Sequence, residues 1–130
     1  MEYVKLGRSD LEVSRIGVGC EQLGGADWGR FGLDEAVKGV RRAVELGVNF
    51  FDTADVYGLG QSEEVLSKAL GDFRRQAVIA TKFGVNWRYK DGVQRAETFK
   101  DCSPRRVVEA LEASLRRLKL DCIPLYQIHW

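Results

Sequence analysis

Short apolar runs alternate along this chain with longer segments that have helical periodicity. The apolar runs predict buried strands over residues 13–19, 48–52, 77–82 and 123–129. Between them, apolar residues recur every three or four positions in segments that begin near Leu33, Ser62 and Ser103, which predicts amphipathic helices. Strands that alternate with helices in this way are typical of a parallel sheet.

The N-terminal segment and the first strand narrow the choice of fold. Two short alternating segments flank a polar turn at residues 7–10, which predicts a β-hairpin over residues 1–13. A doubly wound nucleotide-binding fold needs G-x-G-x-x-G after its first strand, but Gln22 occupies the position of the third glycine. We therefore predict one partial α/β domain over residues 1–130, in which residues 13–130 supply about four strands and three helices of a (β/α)8 TIM barrel.

Composition and charge argue against several classes of function. The 130 residues are 45% hydrophobic, and 20 basic against 19 acidic residues give a net charge of +1, so nothing favours a nucleic-acid partner. The sequence has neither a long apolar run nor a signal-peptide pattern, so we expect a cytoplasmic protein that binds no membrane. Three cysteines without a C-x-x-C pair and a single histidine give little support for a metal site.

Four polar residues stand at or just beyond the predicted strand ends. Asp52, Lys82 and His129 each follow an apolar run, and Tyr57 comes five positions after Asp52. In a parallel barrel all strand C-termini open onto one face, where barrel enzymes have their active sites. An ammonium ion beside Tyr57 would favour its phenolate form, and Asp52 would hold that ammonium. The phenol could then give a proton to a carbonyl oxygen oriented by His129, while a nicotinamide cofactor supplies hydride.

Four segments carry a family pattern: IGVGC, FFDTADVYGLGQSEEVLSKAL, VIATKFG and LYQIHW. In this order and spacing they resemble the N-terminal part of an aldo-keto reductase. The resemblance implies a (β/α)8 barrel capped by a hairpin, and NADPH-dependent reduction of aldehydes or ketones, or the reverse reaction, with NADH as the other candidate cofactor. It maps the catalytic residues onto Asp52, Tyr57, Lys82 and His129, with Tyr57 as the general acid.

The resemblance also suggests where the cofactor would bind. Its contacts would include Gly19, Cys20 and Asp52 at the ends of the first two strands. Members of the family often have threonine where this chain has Cys20, so at this contact the chain departs from the family pattern.

Two tryptophans and one long loop suggest how a small carbonyl or alcohol substrate would be held. Trp28 follows the first predicted strand and Trp87 follows the third. Together with His129, either could line a pocket at the barrel mouth, and either could equally anchor a loop. The loop over residues 83–102 is long for a β–α connection, which suggests a pocket wall or a lid.

Two other functions fit parts of the pattern. Lys82 at a strand end is also consistent with a barrel aldolase that forms a Schiff base. A complete barrel needs roughly 250 residues, and the sequence stops at Trp130, so the chain alone could be a catalytically inactive half barrel. The unpaired edges of such a half barrel would favour self-association.

The last predicted helix is rich in basic residues. Because glutamates are interleaved with them, we expect a solvated face rather than a nucleic-acid patch, with Glu112 and Arg116 as an i,i+4 pair. The basic residues are Arg105, Arg106, Arg116, Arg117 and Lys119.

Overall fold

The computed structural model describes residues 1–25, 32–91 and 96–129. It begins with the predicted hairpin, in which β1 (Tyr3–Lys5) pairs antiparallel with β2 (Glu12–Ser14). The other strands within these ranges are β3 (Val18–Gly19), β4 (Phe50–Asp52), β5 (Val78–Phe83), β6 (Val85–Arg88), β7 (Glu97–Lys100) and β8 (Leu125–Ile128). The helices are α1 (Leu33–Glu45), α2 (Gln61–Leu70) and α3 (Pro104–Leu118).

A parallel sheet forms the centre of the described part of the chain. Its strands lie in the order β3, β4, β5, β8, so each strand pairs with the next sheet strand along the chain. Helix α1 connects β3 to β4, α2 connects β4 to β5, and α3 precedes β8. The predicted alternation of parallel strands and helices is confirmed.

Local sequence explains where α3 begins and where α2 ends. The Ser103 side chain accepts a hydrogen bond of 3.3 Å from the backbone N–H of Arg106, and Pro104 follows in the first turn, where a missing N–H costs little. Gly71 follows α2 with φ of +54° and ψ of −132°, a conformation that glycine adopts without strain and other residues rarely adopt. No helix in the described ranges has the length and apolar character needed to span a bilayer.

The apolar core lies between one face of the sheet and the helices. Phe51 of β4 and Ile79 of β5 are neighbours in register, and both are fully buried. Leu66 of α2 and the last residue of α3, Leu118, belong to the same buried cluster. Because side chains alternate along a strand, Asp52 points to the face opposite this core.

Two predicted segments differ from the structure. The strand predicted over residues 13–19 is two elements, because Val13 pairs within the hairpin and only Val18–Gly19 joins the sheet. Ser14, the last residue of β2, pairs with Tyr3 in the hairpin, and its N–H donates to Asn49 Oδ1 at 2.7 Å, away from the parallel sheet. The loop predicted over residues 83–102 contains the hairpin of β6 and β7, which pair antiparallel. Val85–Arg88 alternates apolar with polar residues, but Glu97–Lys100 has a single apolar residue, so the sequence does not mark a second strand to pair with it.

Candidate active site

The sheet register brings three of the four predicted catalytic residues to one face. Asp52 lies opposite Ala80, and Lys82 is two residues beyond Ala80 on β5. Lys82 lies opposite Gln127, and His129 is two residues beyond Gln127. Because a spacing of two keeps side chains on the same face of a strand, the acid, the amine and the imidazole meet at the carboxyl edge of the sheet.

The amine and the acid form an ion pair. Lys82 Nζ donates hydrogen bonds to Asp52 Oδ1 at 2.6 Å and to the backbone oxygen of Thr53 at 2.8 Å. The side chain of Lys82 is 13% exposed and that of Asp52 is 42% exposed, so the pair lies at an open edge of the sheet. Two acceptors at hydrogen-bonding distance hold the ammonium in one place.

Tyr57 reaches this ion pair from the segment that follows β4. It begins a 3₁₀ turn, Tyr57–Gly60, and Lys82 Nζ lies 5.1 Å from the centroid of its ring. The Tyr57 and His129 rings meet edge to face, with centroids 5.6 Å apart and planes at 87°. The structure therefore brings all four predicted catalytic residues together, with a cation and an imidazole in contact with one phenol ring.

His129 is held just beyond the end of β8. Its backbone N–H donates to the backbone oxygen of Phe83 at 2.7 Å, which extends the pairing of β5 with β8. Burial lowers the pKa of its imidazole below the usual value, and the Lys82 ammonium lowers it further, while Asp52 and Glu21 oppose the shift. The ring is therefore neutral near pH 7 and keeps one N–H that can donate a hydrogen bond.

Comparison with known proteins assigns the chain to a family. The model of the Aldo/keto reductase family matches residues 15–130. The chain belongs to that family. It is 40% identical over 134 residues to Aldo-keto reductase YhdN of Bacillus subtilis, a match that covers 100% of this chain and 38% of that protein. It is also 34% identical over 137 residues to the NADH-specific methylglyoxal reductase of Escherichia coli, covering 100% of this chain and 42% of that one.

A solved structure of this family has the same fold. The aldo-keto reductase AKR11C1 from Bacillus halodurans, in its holo form, matches with a TM-score of 0.84 at 38% identity, over 99% of this chain and 40% of that one. The chain thus spans about two fifths of the length of the relatives it matches. Its parallel sheet with an N-terminal hairpin is part of the (β/α)8 barrel of the aldo-keto reductases, which confirms the predicted fold class.

The predicted cofactor contacts of this aldo-keto reductase differ in accessibility. Gly19 is exposed, and a Cβ built on it would meet no atom of the described residues within 4 Å. Cys20, by contrast, is 0% exposed, and its N–H donates to the backbone oxygen of Asp52 at 2.8 Å. Burial raises the pKa of its thiol to about 12, and the Asp52 carboxylate adds to this shift, so the sulfur stays protonated. The burial of Cys20 argues against a side-chain contact with a cofactor.

The two tryptophans predicted near the substrate have different outcomes. Trp28 lies outside the described residues. Trp87 lies in β6, half-buried, and the guanidinium of Arg106 sits over its ring at 5.2 Å from the centroid. Arg106 also donates to Asp55 Oδ2 at 2.9 Å. These contacts make Trp87 an anchor that joins β6 to α3, and its contact with a substrate stays a prediction.

Sequence reasoning missed two buried ion pairs between α3 and the segments that follow β4. Arg106 pairs with Asp55 at 2.9 Å, where the side chains are 11% and 0% exposed. Arg117 pairs with Glu63 at 2.6 Å, where they are 17% and 0% exposed. The other oxygen of Glu63 accepts a hydrogen bond of 2.6 Å from Thr81 on β5. These contacts fix the Tyr57 segment and α2 against α3.

The prediction that the whole basic set of α3 is solvated is therefore wrong for Arg106 and Arg117. The two residues are eleven positions apart, about three helical turns, so both point inward from one face of α3. Arg105 and Arg116 have the same spacing one position earlier and are 86% and 70% exposed, as predicted. Asp55 and Glu63 were the available signal, because an acid within or next to an apolar segment needs a cation as its partner once it is buried.

Proposed function

We propose that these residues serve an NADPH-dependent oxidoreductase that reduces an aldehyde or a ketone to an alcohol, or runs the reverse reaction, with Tyr57 as the general acid. The observation that carries this proposal is the contact of the Tyr57 ring with both Lys82, at 5.1 Å, and His129, at 5.6 Å. A proton donor, a cation and a hydrogen-bond donor around one point are the groups that carbonyl reduction requires.

Tyr57 would supply the proton. As the carbonyl carbon accepts hydride, its oxygen gathers negative charge and takes the phenol proton. The phenolate left behind is stabilised by the ammonium of Lys82, which Asp52 holds at 2.6 Å. In the reverse direction, the phenolate takes the proton of the alcohol while hydride leaves the carbon. The charge of Lys82 thus lowers the cost of forming the phenolate, which is the product of the forward proton transfer and the base of the reverse one.

His129 would orient the carbonyl oxygen. Its lowered pKa keeps the imidazole neutral near pH 7, so one ring nitrogen carries a proton and can donate to the oxygen without becoming a competing acid. Its edge-to-face contact with the Tyr57 ring brings this donor close to the phenol. In the proposed reaction both groups act on the same substrate oxygen.

The residues next to the ion pair fit a flat nicotinamide ring. The end of β3 is open at Gly19, and the Asp52 side chain is partly exposed beside it, so both would hold the ring from the strand ends. When bound, the nicotinamide supplies the hydride that no side chain can provide. NADPH is the expected cofactor, and NADH has to be compared with it because one relative is described as NADH-specific.

A Schiff-base aldolase that uses Lys82 fits this geometry less well. A nucleophilic lysine must be neutral, with a free electron pair on its nitrogen. Lys82 Nζ donates to the Asp52 carboxylate and to the Thr53 carbonyl, and both acceptors favour the charged ammonium. Treatment with borohydride and an aldehyde substrate is expected to leave Lys82 unmodified.

Replacing Tyr57 by phenylalanine tests the proposal. Because the chain covers 38% of Aldo-keto reductase YhdN, the substitution is made in the chain itself and in a chimaera where the chain replaces the matching segment of that relative. The rate of aldehyde-dependent NADPH oxidation by the chimaera should fall by about 10² to 10⁴-fold. Binding of NADPH and NADH, followed by fluorescence, should not change because the ring keeps its volume.

Tyr126→Phe is the matched control for this experiment. Tyr126 lies opposite Thr81 in register, on the face of the sheet away from Lys82, and its ring stacks on Phe83 with centroids 4.7 Å apart. We expect its loss of a hydroxyl group to leave turnover unchanged. Parent-like turnover in Tyr57→Phe would show that Tyr57 is not the acid.

A further inference from the structure

The turn that carries Tyr57 has a rare backbone conformation. The next three residues all have positive φ, namely +58° at Gly58, +54° at Leu59 and +102° at Gly60. A leucine in this region meets a steric penalty, because its Cβ approaches the following carbonyl oxygen. Glycine adopts positive φ without strain, so the strain of this run lies at Leu59, which keeps its conformation only where neighbouring contacts hold it in place.

One of these contacts is a direct approach of two backbones. Gly24 ends a second 3₁₀ turn, Glu21–Gly24, which follows Cys20. A Cβ on Gly58 would overlap the carbonyl oxygen of Gly24. A Cβ on Gly24 would lie 2.7 Å from the Gly58 nitrogen and 2.7 Å from the carbonyl carbon of Tyr57. The two turns can touch in this way only because both positions are glycine.

The turn that carries Gly24 is itself tied to the Lys82 ion pair. Ser62 Oγ donates to the backbone oxygen of Cys20 at 2.6 Å and shares a hydrogen bond of 2.9 Å with Thr53 Oγ1. The backbone oxygen of Thr53 is one of the two acceptors of Lys82. The first turn, the start of α2 and the ammonium therefore form one connected unit.

Arg117 supports the turn at its other end. A Cβ on Gly60 would lie 2.7 Å from Arg117 Cδ, so the arginine stem passes directly over this glycine. The guanidinium is fixed in turn, because its Nε donates to Glu63 Oε2 at 2.6 Å. The residues after Tyr57 are thus enclosed between the backbone of Gly24 and the side chain of Arg117.

We propose that Gly24 and Gly58 are positioning residues, which hold the Tyr57 ring against Lys82 and His129 by letting the two turns touch through their backbones. The inference rests on the proposed function, in which Tyr57 is the acid, and it names the residues that set the place of that acid. Neither glycine has a side chain that could touch a substrate. Both act through Tyr57.

Two alanine variants and two alanine controls test this role. Gly58→Ala adds a Cβ at positive φ and against Gly24, whereas Gly24→Ala adds the steric overlap without a positive φ. Gly71→Ala is the control for strain alone, since its φ is +54° and a Cβ there meets no described atom within 4 Å. Gly39→Ala, within α1, has neither strain nor overlap.

The only histidine of the chain reports the outcome, because its ring protons give a single NMR signal set. In Gly24→Ala and Gly58→Ala, the contact between the Tyr57 and His129 rings should weaken. The pH at which His129 titrates should rise towards the usual value as the ring loses burial, with Lys82, Asp52 and Glu21 unchanged around it. In the chimaera, kcat should fall by about 10- to 100-fold with an unchanged KM for the cofactor.

The controls should behave differently in the same measurements. Gly71→Ala should raise the unfolding constant by roughly 5-fold or more, because a Cβ is strained at this positive φ, and should still keep the parent titration of His129. Gly39→Ala should be at least as stable as the parent chain, because alanine favours a helix more than glycine does. Its His129 should titrate as in the parent. A change in the His129 signal that is shared by all four variants would overturn the proposal, because it would reflect a general loss of order.

A second result would also overturn the proposal. It is that both Gly24→Ala and Gly58→Ala keep the parent contact between the Tyr57 and His129 rings and the parent titration of His129, whatever their stability. This readout is separate from the chemistry, since Tyr57→Phe tests the proposed function and the His129 signal tests the role of the glycines.

If neither variant folds, amide hydrogen exchange in the parent chain tests the proposal instead. The Leu59 amide, which donates to the Val56 oxygen at 3.1 Å, must then exchange with solvent as slowly as the amides of α2. Exchange at the rate of an unprotected loop would refute the proposal.

Discussion

Two ion pairs of equal length lie on opposite faces of β5. Lys82 and Asp52 meet at 2.6 Å on the face with the candidate active site, and Arg117 and Glu63 meet at 2.6 Å on the face covered by helices. The carboxylates differ, because Asp52 is 42% exposed and Glu63 is 0% exposed. An exposed carboxylate that loses its partner can be hydrated, whereas a buried one cannot. The two pairs have the same N–O distance, so the exposure of the carboxylate distinguishes them. A partly exposed pair is accessible for chemistry, whereas a buried pair maintains the fold.

The buried pair is also more completely enclosed by polar contacts. Glu63 accepts hydrogen bonds from Arg117 on one oxygen and from Thr81 on the other, each at 2.6 Å. It joins α2, α3 and β5 in one network. At the open edge, the same type of contact holds Lys82 beneath Tyr57. The three predictions below test this difference, in order of their expected effect on the free energy of unfolding.

The largest effect is expected for the removal of the cation from the buried pair. Arg117→Met leaves the Glu63 carboxylate buried and unpaired, which should lower the free energy of unfolding by about 3–5 kcal/mol. Arg116→Met is the matched control, because Arg116 is the adjacent residue, 70% exposed and 3.8 Å from Glu112. It should change stability by less than about 1 kcal/mol. Urea unfolding followed by circular dichroism measures both, and equal losses would contradict the comparison.

A smaller effect is expected from the titration of the other buried acid. Burial raises the pKa of Asp55 from 3.8 to about 6, although the Arg106 guanidinium opposes the shift. Between these values the folded chain binds a proton that the unfolded chain has lost, so stability falls as the pH rises through this window. The total loss should reach about 3 kcal/mol at most.

Urea unfolding at a series of pH values checks this expectation. Asp55→Asn removes the titrating group, so its stability should no longer fall across that window. Asp72→Asn is the control, because the Asp72 side chain is 97% exposed, and it should keep the slope of the parent chain. A stability that rises with pH over this range in the parent would mean that the ion pair with Arg106 outweighs the effect of burial.

The smallest effect on stability is expected when the ion pair of Lys82 with Asp52 is broken, because this pair is partly exposed. Its effect on catalysis should be large. Lys82→Met should change the free energy of unfolding by about 1 kcal/mol or less, because the exposed Asp52 can be hydrated. The same substitution in the chimaera should lower the rate of carbonyl reduction by about 10²-fold or more, since the phenolate loses its stabilising cation. Asp52→Asn should act in the same direction but more weakly, because Lys82 keeps its charge. A loss of stability as large as that of Arg117→Met would show that both pairs maintain the fold.

Local patterns were sufficient to predict most elements and that Asp52, Lys82 and His129 lie together at one edge of the sheet. The Ser103–Pro104 pair marks the start of α3 by a cap and a proline, both of which act within one helical turn. Asp52, Lys82 and His129 follow apolar strands, so the common edge of a parallel sheet is enough to bring them together. The hairpin of β6 and β7 was not predicted, because β7 has a single apolar residue and is placed only by its pairing with β6.

The sequence by itself determined the alternation of strands and helices and the residues that gather at the strand ends, because both follow from periodicities of two and of about 3.6 residues along a single segment. Only the tertiary structure decided which arginines of α3 are buried and how Tyr57 is held. These features depend on pairs that are distant along the chain, such as Glu63 with Arg117 and Gly24 with Gly58. Their energies come from burial and close approach, which exist only once separate segments have packed against one another.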